Sequence, residues 1–203
     1  MNPTLEMLKQ LRTETGAGVM ECRAALEQGD NDYPAALAIL RAKAAAKAER
    51  RVHRDALQGY IEHYSHAGGR IGVMVQVNTE TEFASRSAAL RAFAREVALQ
   101  VAAAAPLFVQ DADIPQPVLA EQAQAAAEKA RRAGKPEHII ERIVTGAVEK
   151  FKDRHVLLRQ PSIRDDHLTV GQMLSQVIGQ VGENVVVRRF VRWETNPESE
   201  GNA

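Results

Sequence analysis

The sequence predicts an α+β fold in which a helical bundle precedes a three-stranded antiparallel sheet covered by helices. The first 54 residues place apolar side chains at helical spacing and interrupt them with glycine-containing turns. The segment from Leu57 to Val77 alternates apolar and polar residues on both sides of Gly68-Gly69, which is typical of a β-hairpin. Aromatic residues make up only 4% of the chain and alanine is abundant, which favours closely packed helices over a β-sandwich.

Three helices are predicted in the N-terminal domain, residues 1–54. The first ends at the turn Gly16-Ala17-Gly18, and the second ends at Gly29. Cys22 lies on the apolar stripe of the second helix, so we expect its thiol in the bundle core. Asp32 is the expected N-cap of the third helix, because an aspartate before a helical pattern supplies an acceptor for the free amides of the first turn.

A basic, alanine-rich arm continues the third helix from Arg41 to Arg54, with six positive charges and one negative charge. Alanine has the highest helix propensity, so the arm can stay helical with little packing. We interpret it as a connector to the α+β core, residues 55–194.

Alternation and chain breakers define the rest of the core. Strands are predicted at 57–66, 70–78 and 184–193, with helical segments between the second and the third. The segment "VLLRQPSI" is predicted to be extended. Residues 195–203 are predicted to be disordered, because they contain almost no apolar side chains.

Composition limits the classes of function. The chain has 26 basic and 26 acidic residues, so no overall field draws it to nucleic acid or to a membrane. Its one cysteine excludes an internal disulfide and suits a reducing compartment. The N-terminus has no apolar signal core, and no stretch reaches the roughly 18 apolar residues of a membrane span. We therefore expect a cytoplasmic protein.

The sequence lacks the usual patterns of catalytic and metal-binding sites. His63 and His66 form H-x-x-H, but residues i and i+3 of a strand point to opposite faces, and no acidic or cysteine partner lies at ligand spacing. The sequence contains no nucleophile elbow and no Walker-type phosphate loop. We expect no metal, no cofactor and no enzymatic activity. One alternative stays open: the arm 41–54 could bind RNA phosphates, although few aromatics are present to stack bases.

Phe83 lies at an unusual junction, directly after the second predicted strand in "NTETEFAS". It could be a hydrophobic staple that packs on the next helix, with Ser85 or Ser87 as the N-cap. It could instead be a wedge that enters a partner's pocket. On local physical grounds the staple is favoured. The neighbouring Glu80 and Glu82 are predicted to carry ordinary surface charge.

Several segments resemble a known family in its own order along the chain. They are "LRTETGAGVMECRAAL", "RIGVMVQVNTETEFASRS", "GKPEHIIERIVTGAVEKF", "LLRQPSI" and "VGENVVVRRFVRW". The corresponding family patterns include L-R-x-x-T-G-A-G-x-M, N-C-x-T-D-F-V-A and I-G-E-N-I-x-V-R-R. The family is translation elongation factor Ts, and the resemblance runs from about Leu5 to Trp193. It suggests a short form with a single core module.

The resemblance implies a guanine-nucleotide exchange factor that releases GDP from elongation factor Tu. It implies that the N-terminal domain is a ubiquitin-associated-like bundle that binds the nucleotide domain of the GTPase, and that the core dimerises. Phe83 is then the wedge near the magnesium and phosphate site, and Glu82 stands in place of the family's aspartate. The other implied partner contacts are Val181, Gly182, Arg12, Val19, Met20, Arg23 and, at the hairpin tip, His66.

The chain departs from the family pattern at Glu82, and one further alternative to the resemblance stays open. Glutamate is a poorer N-cap than aspartate, so Glu82 predicts a shift in the polar contacts of the Phe83 junction. A ubiquitin-like-binding adaptor is a further alternative, which would use the bundle alone and leave the remaining chain unexplained.

Overall fold

The computed structural model describes residues 5–195 and confirms the α+β fold. Each of the three strands begins and ends within one residue of its predicted position. The elements are α1 (Leu5–Thr15), α2 (Val19–Gln28), α3 (Tyr33–Glu49), β1 (Gln58–His66), β2 (Ile71–Thr79), α4 (Glu82–Ser85), α5 (Ala88–Ala104), α6 (Gln116–Arg132), α7 (Glu137–His155), α8 (Val170–Val181) and β3 (Val185–Glu194).

Two compact units share these elements. One consists of residues 5–102 together with 172–195, and the other of residues 103–171. The predicted domain boundary at residue 54 therefore lies within the first unit and stays a prediction. Residues 196–203 of the predicted disordered tail lie outside the described part of the chain.

Local sequence explains the bundle formed by α1, α2 and α3. Asp32 caps α3 as predicted, because its carboxylate accepts a hydrogen bond of 2.9 Å from the amide of Ala35. Gly16 ends α1 with a φ of 66°, a conformation that disfavours side chains with a Cβ. The prediction for Cys22 is confirmed, since its side chain is fully buried. The apolar core of the bundle consists of Leu11, Cys22, Ala25, Leu26, Ala36 and Leu40.

The sheet has the order β1-β2-β3, with antiparallel pairing throughout. On the central strand the inner face is apolar and buried, and it carries Val73, Val75 and Val77. Helix α5 contacts this inner face, where the guanidinium of Arg192 on β3 donates to the carbonyl of Ala102 at 3.2 Å. Met74 points to the opposite face and is 41% exposed. The sheet therefore has one covered face and one open face.

The second unit contains a helical hairpin formed by α6 and α7, joined by a tight turn at Gly134, which has a φ of 69°. The prediction of an extended "VLLRQPSI" is wrong for its middle, although Val156 and Pro161 each form an isolated β-bridge. Leu157–Arg159 form a turn of 3-10 helix, in which Arg159 is held by ion pairs with Asp111, Glu149 and Asp153. The apolar run reads as a strand in sequence, but these charge-assisted bonds favour the compact turn.

Candidate functional site

Phe83 lies in the first turn of the short helix α4, and its side chain is 87% exposed. Thr81 is the N-cap of that helix, because its hydroxyl accepts the amide hydrogen of Ala84 at 3.3 Å. The staple hypothesis is therefore wrong, since a staple requires a ring packed against the helix. Of the two serines considered as caps, Ser87 accepts the amide hydrogen of Leu90 in α5, whereas Ser85 donates to the carbonyl of Glu82.

The two glutamates near Phe83 differ in their surroundings. Glu82 is exposed, follows the N-cap rather than replacing it, and forms an ion pair with Arg86 one turn later. Glu80 was predicted to carry ordinary surface charge, and this is wrong. Its side chain is only 19% exposed, forms ion pairs with Arg51 and Arg54, and accepts the amide hydrogen of Asn184 at 2.6 Å.

The turn that contains Val181 and Gly182 lies next to the Phe83 turn. Gly182 ends α8 with a φ of 75°, and its amide donates to the carbonyl of Ile178. Directly after it, the carboxylate of Glu183 accepts hydrogen bonds from both the amide and the hydroxyl of Thr81, at 2.9 and 2.7 Å. These bonds join two segments that are predicted to contact the same partner.

The bundle presents its predicted contact residues at the start of α2. Val19 and Met20 are 47% and 71% exposed, which leaves two adjacent apolar side chains in solvent. Arg12 is also exposed, and Arg23 forms a surface ion pair with Glu27 at 2.9 Å. All four predicted contact residues of the bundle therefore have side chains that are accessible to a partner.

A polar contact connects the bundle to the end of α8. The side-chain amide of Gln180 donates to the carbonyl of Thr15 at 3.0 Å. A Cβ on Gly16 would lie 1.8 Å from the same amide nitrogen, so glycine permits this close approach. The α1–α2 turn, the end of α8 and the Phe83 turn are thus linked through consecutive contacts.

His66 is not part of this linked group. It ends β1 at the hairpin, whereas the Phe83 turn follows the opposite end of β2. A strand of nine residues extends over about 26 Å, so the two sites lie at opposite ends of the sheet. The ring of His66 contacts Tyr64, whose hydroxyl lies 3.0 Å from Nδ1. Within residues 5–195, no group of three or more potential metal ligands is brought together.

Most of the predicted basic arm is helical, since α3 extends to Glu49, and several of its cations are paired with carboxylates. Arg41 contacts Glu14 at 3.1 Å, Lys47 contacts Glu21, and Arg51 and Arg54 share Glu80. These pairs reduce the positive potential that RNA phosphates would meet. The arrangement favours the connector over the RNA-binding alternative.

Comparison with known proteins gives a consistent result. The family model described as Elongation factor TS matches residues 45–195. The elongation factor Ts of Rubrobacter xylanophilus is 43% identical over 194 residues, which cover 96% of this chain and 100% of that protein. The corresponding protein of Carboxydothermus hydrogenoformans is 42% identical over 191 residues, covering 94% and 88% of the two chains. That of Coprothermobacter proteolyticus is 42% identical over 193 residues, covering 95% and 98%.

The chain belongs to the elongation factor Ts family. It is therefore a translation elongation factor, in agreement with the motif order in its sequence. None of the helices between residues 5 and 195 has the length and apolar character needed to cross a bilayer.

Sequence reasoning assigned no role in the candidate site to three residues that support it in the structure, namely Glu80, Glu183 and Asn184. Each makes its decisive contact with a residue about a hundred positions away, so no local spacing could reveal it. The one available signal was the "GEN" segment at 182–184, which recurs among the quoted family patterns but had no role assigned to its acid.

The ionised carboxylate of Glu80 is predicted to stabilise the folded chain at neutral pH. The amide of Asn184 donates to its carboxylate, and Arg54 and Arg51 lie beside it, so its pKa is held below the usual value. A carboxyl whose pKa is lowered by folding adds stability above its unfolded pKa of about 4.3 and loses it as pH falls through the folded value. We expect Glu80→Gln to melt about 2–4 °C below the wild type at pH 7, a loss of about 1 kcal/mol.

This difference should be smaller at pH 3 than at pH 7, because acid protonates a growing share of the wild-type carboxyl. Melting curves followed by circular dichroism at both pH values measure it. Glu82→Gln is the matched control, because its exposed ion pair should contribute little at either pH. An equal loss for Glu80→Gln at pH 7 and pH 3 would contradict the assignment of the stability to the ionised carboxylate.

Proposed function

We propose that this chain releases GDP from elongation factor Tu during translation elongation, by binding the nucleotide-free GTPase more tightly than the loaded form. By linkage, such a protein weakens nucleotide affinity by the same factor that nucleotide weakens its own binding. This mechanism needs no nucleophile, metal or bound cofactor from the chain, so we infer that it is not an enzyme in the chemical sense. The inferred site of action is the cytoplasm.

The observation that carries the proposal is the exposure of Phe83 on a well-supported turn. Because the ring of Phe83 is 87% exposed, the free chain gains almost no stabilisation from burying it, and a partner that covered the ring would gain that stabilisation. The backbone that carries the ring is supported by the N-cap bond of Thr81 and by the two hydrogen bonds that Thr81 donates to Glu183. We propose that Phe83 inserts beside a helix of the GTPase and displaces groups that support the magnesium and phosphate site.

The remaining contacts divide between two regions of the chain. We propose that Glu82, Val181 and Gly182 contact the GTPase around the inserted ring. Val19 and Met20 would supply apolar area from the bundle to the nucleotide domain. The proposed contacts that flank them or lie apart are Arg12, Arg23 and, at the hairpin, His66.

Release of labelled GDP from purified elongation factor Tu tests the proposal directly. We expect equimolar chain to accelerate release, with a dependence on chain concentration that saturates. The preparation of GTPase is first shown to be active by its own slow nucleotide exchange. No acceleration by the folded chain would contradict the proposed function.

We also propose that the chain forms a homodimer through the open face of the sheet. Apolar side chains there include Ile61 at 52% exposure, Met74 at 41% and Trp193 at 61%. A depression of about 330 Å³ lies on this face, lined by Ile61, Met74, Gln76, Arg189, Phe190 and Val191. A twofold contact would remove this apolar surface from water, as is common for homodimers.

A further inference from the structure

We propose that Glu80 and Glu183 are positioning residues that hold the Phe83 turn and the Val181-Gly182 turn as one preformed docking surface. This inference rests on the proposed function. The contacts that carry it form what we name the reciprocal clamp, which consists of Glu80, Thr81, Glu183 and Asn184. In it, each turn supplies a carboxylate to the backbone amide of the other.

The first half of the clamp runs from the Phe83 turn to the turn after α8. Thr81 donates its amide hydrogen to Glu183 Oε2 at 2.9 Å and its hydroxyl hydrogen to Oε1 at 2.7 Å. The same hydroxyl accepts the amide hydrogen of Ala84. Glu183 therefore orients the residue that starts the helix bearing Phe83.

The second half of the clamp runs in the opposite direction. Asn184 donates its amide hydrogen to Glu80 Oε1 at 2.6 Å, and its side-chain amide donates to the carbonyl of Arg54 at 2.6 Å. Asn184 is 3% exposed, so both bonds lie in a poorly hydrated environment where hydrogen bonds to charged groups are strong. Arg51 and Arg54 then connect Glu80 to the end of the arm.

The places of the two acids in the sequence suit residues that position the docking surface without contacting the partner themselves. Glu80 precedes Phe83 by three residues and Glu183 directly follows Gly182, so each acid adjoins a predicted partner contact without replacing it. Helix α4 has only four residues and would be only marginally stable by itself. If the clamp is lost, the turns sample other conformations, and only a fraction of the chains presents the docking surface.

This reasoning separates the clamp residues from Phe83 itself. When only a fraction of molecules is competent to bind, the apparent dissociation constant rises by the inverse of that fraction, while the bound complex is unchanged. We therefore expect Glu80→Ala and Glu183→Ala each to raise the chain concentration that gives half-maximal GDP release by about tenfold. The maximal rate at saturation should stay within about twofold of the wild type.

The experiment measures GDP release from elongation factor Tu over a range of chain concentrations for each variant. Glu183→Gln keeps one acceptor oxygen and should give an intermediate shift. Glu149→Ala is the matched control, because it removes a carboxylate that accepts hydrogen bonds from Lys152 and Arg159 in residues 103–171. We expect that control to leave the half-maximal concentration unchanged, and melting curves check that each variant is folded.

Amide hydrogen exchange in the free chain provides a second readout that does not depend on the GTPase. Glu183→Ala should accelerate exchange at Thr81 and, because the two halves support each other, also at Asn184, whose own acceptor Glu80 is intact. An active chain whose Glu80→Ala and Glu183→Ala variants reach half-maximal release at the wild-type concentration would overturn the clamp alone. A folded wild-type chain that releases no GDP would overturn the proposed function and this inference with it.

Discussion

Phe83→Ala is expected to lower the maximal rate of GDP release from elongation factor Tu at least about tenfold, with only a small change in the chain's melting temperature. The ring is 87% exposed in the free chain, so its removal takes away little internal packing. Loss of a buried aromatic would instead cost about 3–5 kcal/mol of stability. In the complex, burying a phenylalanine contributes about 1.5–3 kcal/mol, and each 1.4 kcal/mol corresponds to tenfold in rate.

Stopped-flow measurement of labelled GDP release at saturating chain, together with thermal melting of each variant, tests this expectation. Leu57→Ala is the control for loss of an exposed apolar side chain, because Leu57 is 80% exposed and lies outside the proposed docking surface. Glu82→Ala should be milder than Phe83→Ala, since its carboxylate forms a surface pair with Arg86. A Phe83→Ala chain that melts much earlier while its folded fraction releases GDP at the normal rate would contradict the wedge.

Met74→Asp is expected to convert a homodimer into a monomer. Met74 pairs with Val191 in the register of the sheet, in the centre of the open face. An unpaired carboxylate buried in an interface costs about 3–5 kcal/mol, and twofold symmetry places it there twice. The dimer should therefore weaken by more than about a thousandfold, while the chain stays folded because the site is 41% exposed in one chain.

Sedimentation at tens of micromolar chain measures this change. Leu107→Asp is the matched control, since Leu107 is a similarly exposed apolar residue, at 55%, that belongs to residues 103–171 and to none of the three strands. A reducing agent should alter neither result, because Cys22 is fully buried and burial raises the pKa of its thiol. A wild-type chain that sediments as a monomer at this concentration would contradict the proposed homodimer.

The sequence by itself determined the first three helices and the three strands, and the strand boundaries to within one residue. Asp32 predicted the start of α3, and alternation on both sides of Gly68-Gly69 predicted the hairpin within one residue. Cys22 was placed correctly in the bundle core by its helical spacing. These features were predictable because caps, turns and hydrophobic period act over a few residues of chain.

The tertiary structure alone decided how the surroundings of Phe83 are held. The local pattern favoured a staple, whereas the fold leaves the ring exposed and gives the N-cap to Thr81. The local sequence predicted that Glu80 carries surface charge, but the fold brings the amide of Asn184, 104 positions later, to its carboxylate. Such contacts depend on how the end of α8 meets the end of β2, and this is set by packing of the whole unit rather than by the residues on either side.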